Sequence, residues 1–168
     1  YLIFRTSNLY GRAVNIQARS WFEQLEYQSS ENDKLVCDGL VHTGYLDIQL
    51  FIFVLKKCLD LKISNRLLHV SSSDLCTRYE FAQYYAEAFG QNKSVFVKGS
   101  WNFPLDTSMF SGNLDDSLHF KLDTMNLQRS IGAVMPTVKD SLGFTFRRFS
   151  SKVENKTGKK KFSGLTYI

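Results

Sequence analysis

The stretch Phe4-Arg5-Thr6-Ser7-Asn8-Leu9-Tyr10-Gly11 gathers a guanidinium, two hydroxyls and a carboxamide directly after the apolar run Tyr1-Leu2-Ile3-Phe4. Groups of this kind can hold a phosphate or the hydroxyls of a sugar. In the middle of a buried strand they would lack hydrogen-bond partners, which is costly. At the carboxyl end of a parallel strand they face the crevice where open α/β sheets bind ligands. A solvated strand-to-loop turn is the plainer alternative, and the segment alone leaves the two open.

The other reactive side chains form no comparable constellation. No G-x-G-x-x-G or G-x-x-x-x-G-K-[ST] follows an apolar run, and there is no G-x-S-x-G elbow. His42, His69 and His119, and Cys37, Cys58 and Cys76, never fall at metal-ligand spacings. They read as structural, with Cys58 and Cys76 as small core hydrophobes. Asp115 and Asp116 are neighbours on a predicted loop and point apart, so no metal site is expected.

The elements that must position the Arg5–Asn8 segment alternate between strand and helix, the α/β pattern. The continuous β-favouring run predicts a strand over 2–6 that is buried on both faces of a parallel sheet. A loop over Ser7–Val14 and a helix over 15–27 follow, with Ile16, Trp21, Phe22 and Leu25 as its apolar positions. Lys34–Cys37 reads as a short strand. Residues 44–60 read as a helix apolar nearly all round, hence buried. Arg66–Val70 reads as a strand. Thr77-Arg78-Tyr79-Glu80 is a capping box, Phe81, Ala82, Tyr85, Ala86 and Phe89 share one helical face, and Gly90 suits a left-handed helix stop. A strand over Val95–Val97, an irregular stretch over 98–118, and short helices over Thr124–Ile131 and Pro136–Leu142 complete the reading.

At 168 residues the chain can bury about two thirds of its unfolded surface. Its 43% apolar and 22% charged content excludes disorder over most of its length. Three widely spaced cysteines make no disulfide framework and point to a reducing, cytoplasmic setting. The longest apolar run, Leu50–Leu55, is far short of the ~20 residues of a membrane span, so no membrane partner is expected. The net charge of +5 is uneven. Residues 144–168 hold seven Lys/Arg and one Glu, a balance of +6, which leaves −1 on the rest. Residues 143–168 are therefore expected to be a basic, flexible tail. Such a tail can touch nucleic acid through phosphates, but no stacking platform or reading helix accompanies it, and specific nucleic-acid binding is not expected.

Arg5-Thr6-Ser7-Asn8-Leu9-Tyr10-Gly11 after an apolar strand resembles the sixth-strand R-T-S-x-x-Y-G motif of extended short-chain dehydrogenases/reductases, above all of the dTDP-4-dehydrorhamnose reductase family and its sugar-nucleotide-binding relatives. Three further stretches agree in order. Asp38, His42-Thr43 and Asp47 resemble D-x-x-x-P-T-x-x-x-D, with His in place of Pro. Leu68-His69-Val70 followed by Thr77-Arg78-Tyr79-Glu80-Phe81-Ala82 is similar to the family's strand, loop and S-R-Y-E-F-A helix. Leu122-Asp123-Thr124, Ile131-Gly132 and Pro136 resemble its L-D-T-x-K-L…L-G…P ending. The likeness covers residues 1–142.

The resemblance implies the C-terminal portion of a Rossmann-type α/β fold with its small substrate-binding lobe. It implies the substrate-binding part of an NAD(P)H-dependent reductase or epimerase acting on a 4-keto sugar nucleotide, as in dTDP-rhamnose and polysaccharide biosynthesis. In the family, the Gly-rich cofactor loop and the Tyr and Lys of Y-x-x-x-K precede this strand. Neither occurs in these 168 residues, so the chain is expected to be a fragment that holds no catalytic residue and is inactive alone, with NADPH or NADH bound mainly by an N-terminal part. Carried over, the pattern sets Arg5, Thr6 and Ser7 at the nicotinamide and sugar end of the site. Asn8 and Asn15 go to the substrate, Asn15 at its diphosphate. Asp38 and Thr43, with Asp47, would shape the substrate lobe. Lys121 would stand as a point charge where the family commonly has Arg, a place that falls here near Asp116. That carboxylate and His42 suit an alternative, a non-catalytic regulatory or binding relative of the same fold. The resemblance implies a nucleotide-sugar partner and leaves a homodimer open.

Overall fold

The computed structural model describes residues 1–12, 19–31, 34–99 and 117–157, with side chains as far as Phe149. In chain order the elements are β1 (Leu2–Thr6), β2 (Asn8–Tyr10), α1 (Trp21–Glu31), β3 (Leu35–Asp38), β4 (Val41–Thr43), β5 (Tyr45–Asp47), α2 (Ile48–Asp60), β6 (Arg66–Val70) and α3 (Arg78–Phe89). A 3₁₀ turn (Lys93–Val95), β7 (Phe96–Gly99), β8 (Leu118–Phe120), α4 (Met125–Ile131) and α5 (Val138–Thr157) follow. The strands form four parallel pairs, β1–β6, β2–β5, β3–β7 and β4–β8. Parallel pairing requires crossovers, and helices supply them.

α3 is built from its own sequence. The Thr77 hydroxyl accepts the Glu80 N–H at 3.1 Å, and the Glu80 carboxylate accepts the Thr77 N–H at 2.8 Å. Gly90 closes the helix at φ 65°, a conformation that costs a glycine nothing. α1 starts at Trp21, later than the predicted residue 15, and runs on to Glu31. The cause is a second capping box. Glu23 accepts the Ser20 N–H at 2.7 Å, and the Ser20 hydroxyl accepts the Glu23 N–H at 3.3 Å. Ile16 lies outside the described residues, while Phe22 and Leu25 bury as expected.

The predicted helix over 44–60 is two elements. Residues 45–47 pair with β2, and Asp47 caps α2 by accepting the Gln49 N–H at 2.6 Å. α2 is also less buried than its composition implied. Val54 and Cys58 are enclosed, but Phe53 is 59% and Leu59 62% exposed, because the β1–β6 sheet covers one face only. α2 ends in a Schellman arrangement, with Lys62 N–H to Leu59 O at 2.9 Å and Ile63 N–H to Cys58 O at 3.0 Å. Lys62 takes the left-handed conformation, φ 53°, where glycine is usual. The last predicted helix, 136–142, is much longer. It begins at Val138, capped by the Asp74 carboxylate (2.7 Å from Val138 N), and continues to Thr157.

Two apolar clusters result. The first is aromatic: Phe22, Phe81 and Tyr85 sit fully buried among α1, β3, α3, β7 and α5, with Tyr10 and Tyr45. The Phe81 ring lies 4.7 Å from Tyr45 and 5.0 Å from both Tyr10 and Trp21. The second is aliphatic. Leu68 and Val70 of β6, with Leu2 and Phe4 of β1, pack on α2 and α4 through Val54, Cys58, Leu127 and Ile131. The opposite face of this sheet is open: Ile3 is 48% and Leu67 40% exposed. Among the described residues no element covers that side, so the expected burial on both faces is seen on one face only.

Candidate functional site

The site grows from the point where the chain changes partners. β1 runs beside β6 as far as Thr6↔Val70, and Ser7 N–H still bonds Val70 O at 3.2 Å. One residue later Asn8 N–H bonds Gly44 O at 3.2 Å, and β2 continues beside β5. The two pairings part at the carboxyl ends of β1 and β6, the place where ligands of such sheets settle.

Three serine hydroxyls meet at Gly44. A Cβ there would overlap Ser71 Oγ and stand 3.0 Å from Ser72 Oγ and 3.1 Å from Ser7 Oγ, so the backbone must pass as glycine. Ser72 is committed: it accepts the Tyr45 N–H at 3.0 Å and donates to Asp74 O at 2.9 Å. Ser7 Oγ is buried with no hydrogen-bond partner, and so is His69 Nε2. A buried polar atom without a partner costs about 1–3 kcal/mol. His69 lies opposite Arg5 in the β1–β6 register, on the open face, and the Arg5, Thr6 and Asn8 side chains are exposed. The strand ends thus carry a guanidinium, an imidazole, hydroxyls and a carboxamide within a few residues of one another, Arg5 and His69 on the open face and Thr6 on the opposite one.

The other predicted residues have separate positions. Thr43 is half-buried at the end of β4, bridged to Cys76 by two backbone bonds of 3.0 Å and one residue before Gly44. Lys121 is exposed and follows Phe120, the register partner of Thr43. Asp38 precedes β4 at its far end. Its carboxylate is occupied by Leu40 N–H and Val41 N–H, both at 3.1 Å, and so builds the turn into β4. Asn15 and Asp116 lie outside the described residues. His42 stacks on His119, with centroids 4.4 Å apart and planes 11° from parallel, and its Nε2 is 3.8 Å from Glu80.

Asp47 anchors the floor. Fully buried, it accepts two bonds from Arg148, at 3.0 and 3.1 Å, and one from the Thr145 hydroxyl. Its own N–H reaches Ser141 Oγ at 3.1 Å, which is 2.7 Å from Tyr10 Oη. Tyr10, Asp47, Ser141, Thr145 and Arg148 thus tie β2 and β5 to α5, and burial raises the Tyr10 phenol well above its ordinary range. Burial also pushes the Cys37 thiol up to about 11, and that of Cys76 further still. Neither is poised as a nucleophile.

Gly44, His69, Ser71 and Ser72 escaped the sequence reading. The signal was present, because Ser71-Ser72-Ser73-Asp74 follows a predicted parallel strand just as Arg5–Asn8 does. No metal-competent group of His, Cys, Asp or Glu occurs among the described residues. None of their helices is long and apolar enough to cross a membrane.

No family model matches the chain, and no curated protein matches it by sequence. Solved structures do match. dTDP-glucose 4,6-dehydratase from Bacillus anthracis, in complex with NAD, superposes with a TM-score of 0.64 at 13% identity, over 92% of this chain and 46% of that one. The chain shares its α/β fold with part of that structure. dTDP-4-dehydrorhamnose reductase from the same organism, in complex with NADP, gives 0.64 at 20% identity, over 88% of this chain and 48% of that one. UDP-N-acetylglucosamine 4-epimerase from Bacillus cereus gives 0.61 at 14%, over 88% and 45%. The chain spans a little under half the length of these structures.

Proposed function

We propose that the chain is the substrate-binding part of an NAD(P)H-dependent reductase or epimerase acting on a 4-keto sugar nucleotide, with a dTDP-linked deoxysugar as the favoured substrate. The observation that carries this reading is the pair of buried, partnerless atoms, Ser7 Oγ and His69 Nε2, flanking exposed Arg5 and Thr6 where β1 and β6 end. Ligand hydroxyls or phosphate oxygens would satisfy them, and the solved neighbours of the fold are enzymes of nucleotide sugars.

The same donor set fits one end of a nicotinamide cofactor. Arg5, Thr6 and Ser7 would border it, and when bound it supplies the hydride. Asn8, Thr43 and Lys121, beside Gly44, would hold the substrate's sugar and diphosphate side. Asn15 is proposed for the diphosphate. Asp38 and Asp47 act through the backbone they fix, not by contact. Arg5 would orient the sugar through its fork of N–H donors.

Calorimetric titration of the chain with a dTDP-sugar tests the proposal. Saturable binding that weakens about tenfold or more in Arg5→Gln is expected, a loss worth about 1.4 kcal/mol per decade. A chain that binds no nucleotide sugar overturns the proposal. Binding without NADPH turnover in the longest polypeptide that contains this chain would favour the non-catalytic relative, the alternative that His42 in place of Pro motivates.

A further inference from the structure

At the opposite end of β6 lies a cleft of about 470 Å³, lined by Lys62, Ile63, Ser64, Arg66, Asn126, Arg129 and Ser130. Its volume is that of a small-molecule site. Three of the seven lining residues are cations, and none is an acid. Ser64, Ser130 and Asn126 add neutral donors, so only Ile63 brings no polar side chain. Arg66 opens β6 and Val70 closes it. At ~3.3 Å per residue the cleft therefore stands ~13 Å along the strand from the Ser7–Gly44 crevice.

The charges are not neutralised by ion pairs. None of Lys62, Arg66 and Arg129 takes part in a salt bridge among the described residues. The carboxyl ends of α2 and α4 attract Lys62 and Arg129 as helix ends do. Arg66 is on a strand and has no such end; its one contact of note is a marginal bond to Ser130 Oγ at 3.5 Å. The positions are also held firmly. Lys62 sits in the left-handed turn of the Schellman motif, and Asn65, likewise left-handed at φ 53°, donates its N–H to Tyr1 O at 2.6 Å. Like charges brought to one concavity repel unless an anion joins them.

We propose that the Lys62–Arg66–Arg129 cleft is an anion site for an oligophosphate, either free pyrophosphate or the diphosphate of a nucleotide. Arg66 and Arg129 offer forked donors, Lys62 a point charge, and Ser64, Ser130 and Asn126 single bonds to peripheral oxygens. The site is separate from the crevice proposed for the nucleotide sugar and does not depend on that reading.

The test is amide chemical-shift mapping of the chain with inorganic pyrophosphate and, in a second arm, adenosine diphosphate, each at 50 and 300 mM NaCl. Saturable shifts over residues 62–66 and 126–130 are expected, with affinity falling at the higher salt. The exposed double variant Lys62→Gln/Arg129→Gln should weaken that binding tenfold or more, and its melting curve should match the parent's. Equal affinity for the two ligands assigns the site to the phosphate group; tighter binding of the nucleotide, with Ile63 shifting, assigns it to nucleotides. Absence of saturable shifts at 62–66 and 126–130, or unchanged binding in the double variant, overturns the proposal. Titrating the same variant with a dTDP-sugar separates the two sites, since loss of the cleft leaves the Arg5 crevice intact.

Discussion

The two apolar clusters solve the same problem differently. The aromatic one closes on itself: α1, α3 and α5 with β3 and β7 surround Phe22, Phe81 and Tyr85, and the Asp47–Arg148 network braces its edge. The aliphatic one is a single layer deep, with α2 and α4 on one face of β1–β6 and Ile3 and Leu67 bare on the other. Stability should therefore concentrate in the first, while the polar crevice hangs from the end of the second. Binding groups carried at the margin of a rigid body are a common arrangement.

Mutations that hit the two clusters unequally probe this contrast. Phe81→Ala removes a fully buried ring that touches three others, and should cost about 4 kcal/mol of unfolding free energy in a urea titration. A loss below about 1 kcal/mol would mean the aromatic cluster is not the stable unit. Arg148→Ala leaves the buried Asp47 carboxylate without its cation, and about 3 kcal/mol should go in the same assay. Ile3→Thr, on the bare face, should change stability by no more than about 0.5 kcal/mol. A loss of 2 kcal/mol there would show that face to be covered in solution.

Alkaline pH acts on the closed cluster too. The Cys37 thiol, ordinarily near 9.0, is pushed up to about 11 by burial, and the Tyr10, Tyr45 and Tyr85 phenols are raised as well. The folded state then keeps protons that the unfolded chain releases first. Its contribution is fully present below about pH 9 and declines as pH rises through 11. Melting temperatures should fall over that window, and Cys37→Ala should soften the fall. A flat profile from pH 8 to 11 would contradict the burial of these groups.

α3 was legible because its start and stop are local: Thr77, Glu80 and Gly90 suffice. The same box at Ser20 and Glu23 was equally visible, yet apolar spacing from Ile16 onward drew the predicted start too early. β2, β4, β5 and β8 have three residues each and exist by pairing with segments far along the chain, so no local pattern marks them. α5 outran its prediction for the same reason: Arg148 finds Asp47, and Phe146 and Phe149 find Phe89. At the site, polarity after an apolar strand singles out Arg5–Asn8, while spacing alone makes His69 structural and leaves Ser71–Ser72 between a strand and a helix cap. Their meaning depends on β6 lying beside β1, which the chain reveals only once folded.

The most direct test of the account is the amide chemical-shift map of the chain with a saturating dTDP-sugar. Shifts concentrated at residues 5–8, 43–44 and 69–72, and abolished in Ser7→Ala/His69→Ala, are predicted. A map that leaves those residues unmoved, or moves only the Lys62–Ser130 cleft, would contradict it.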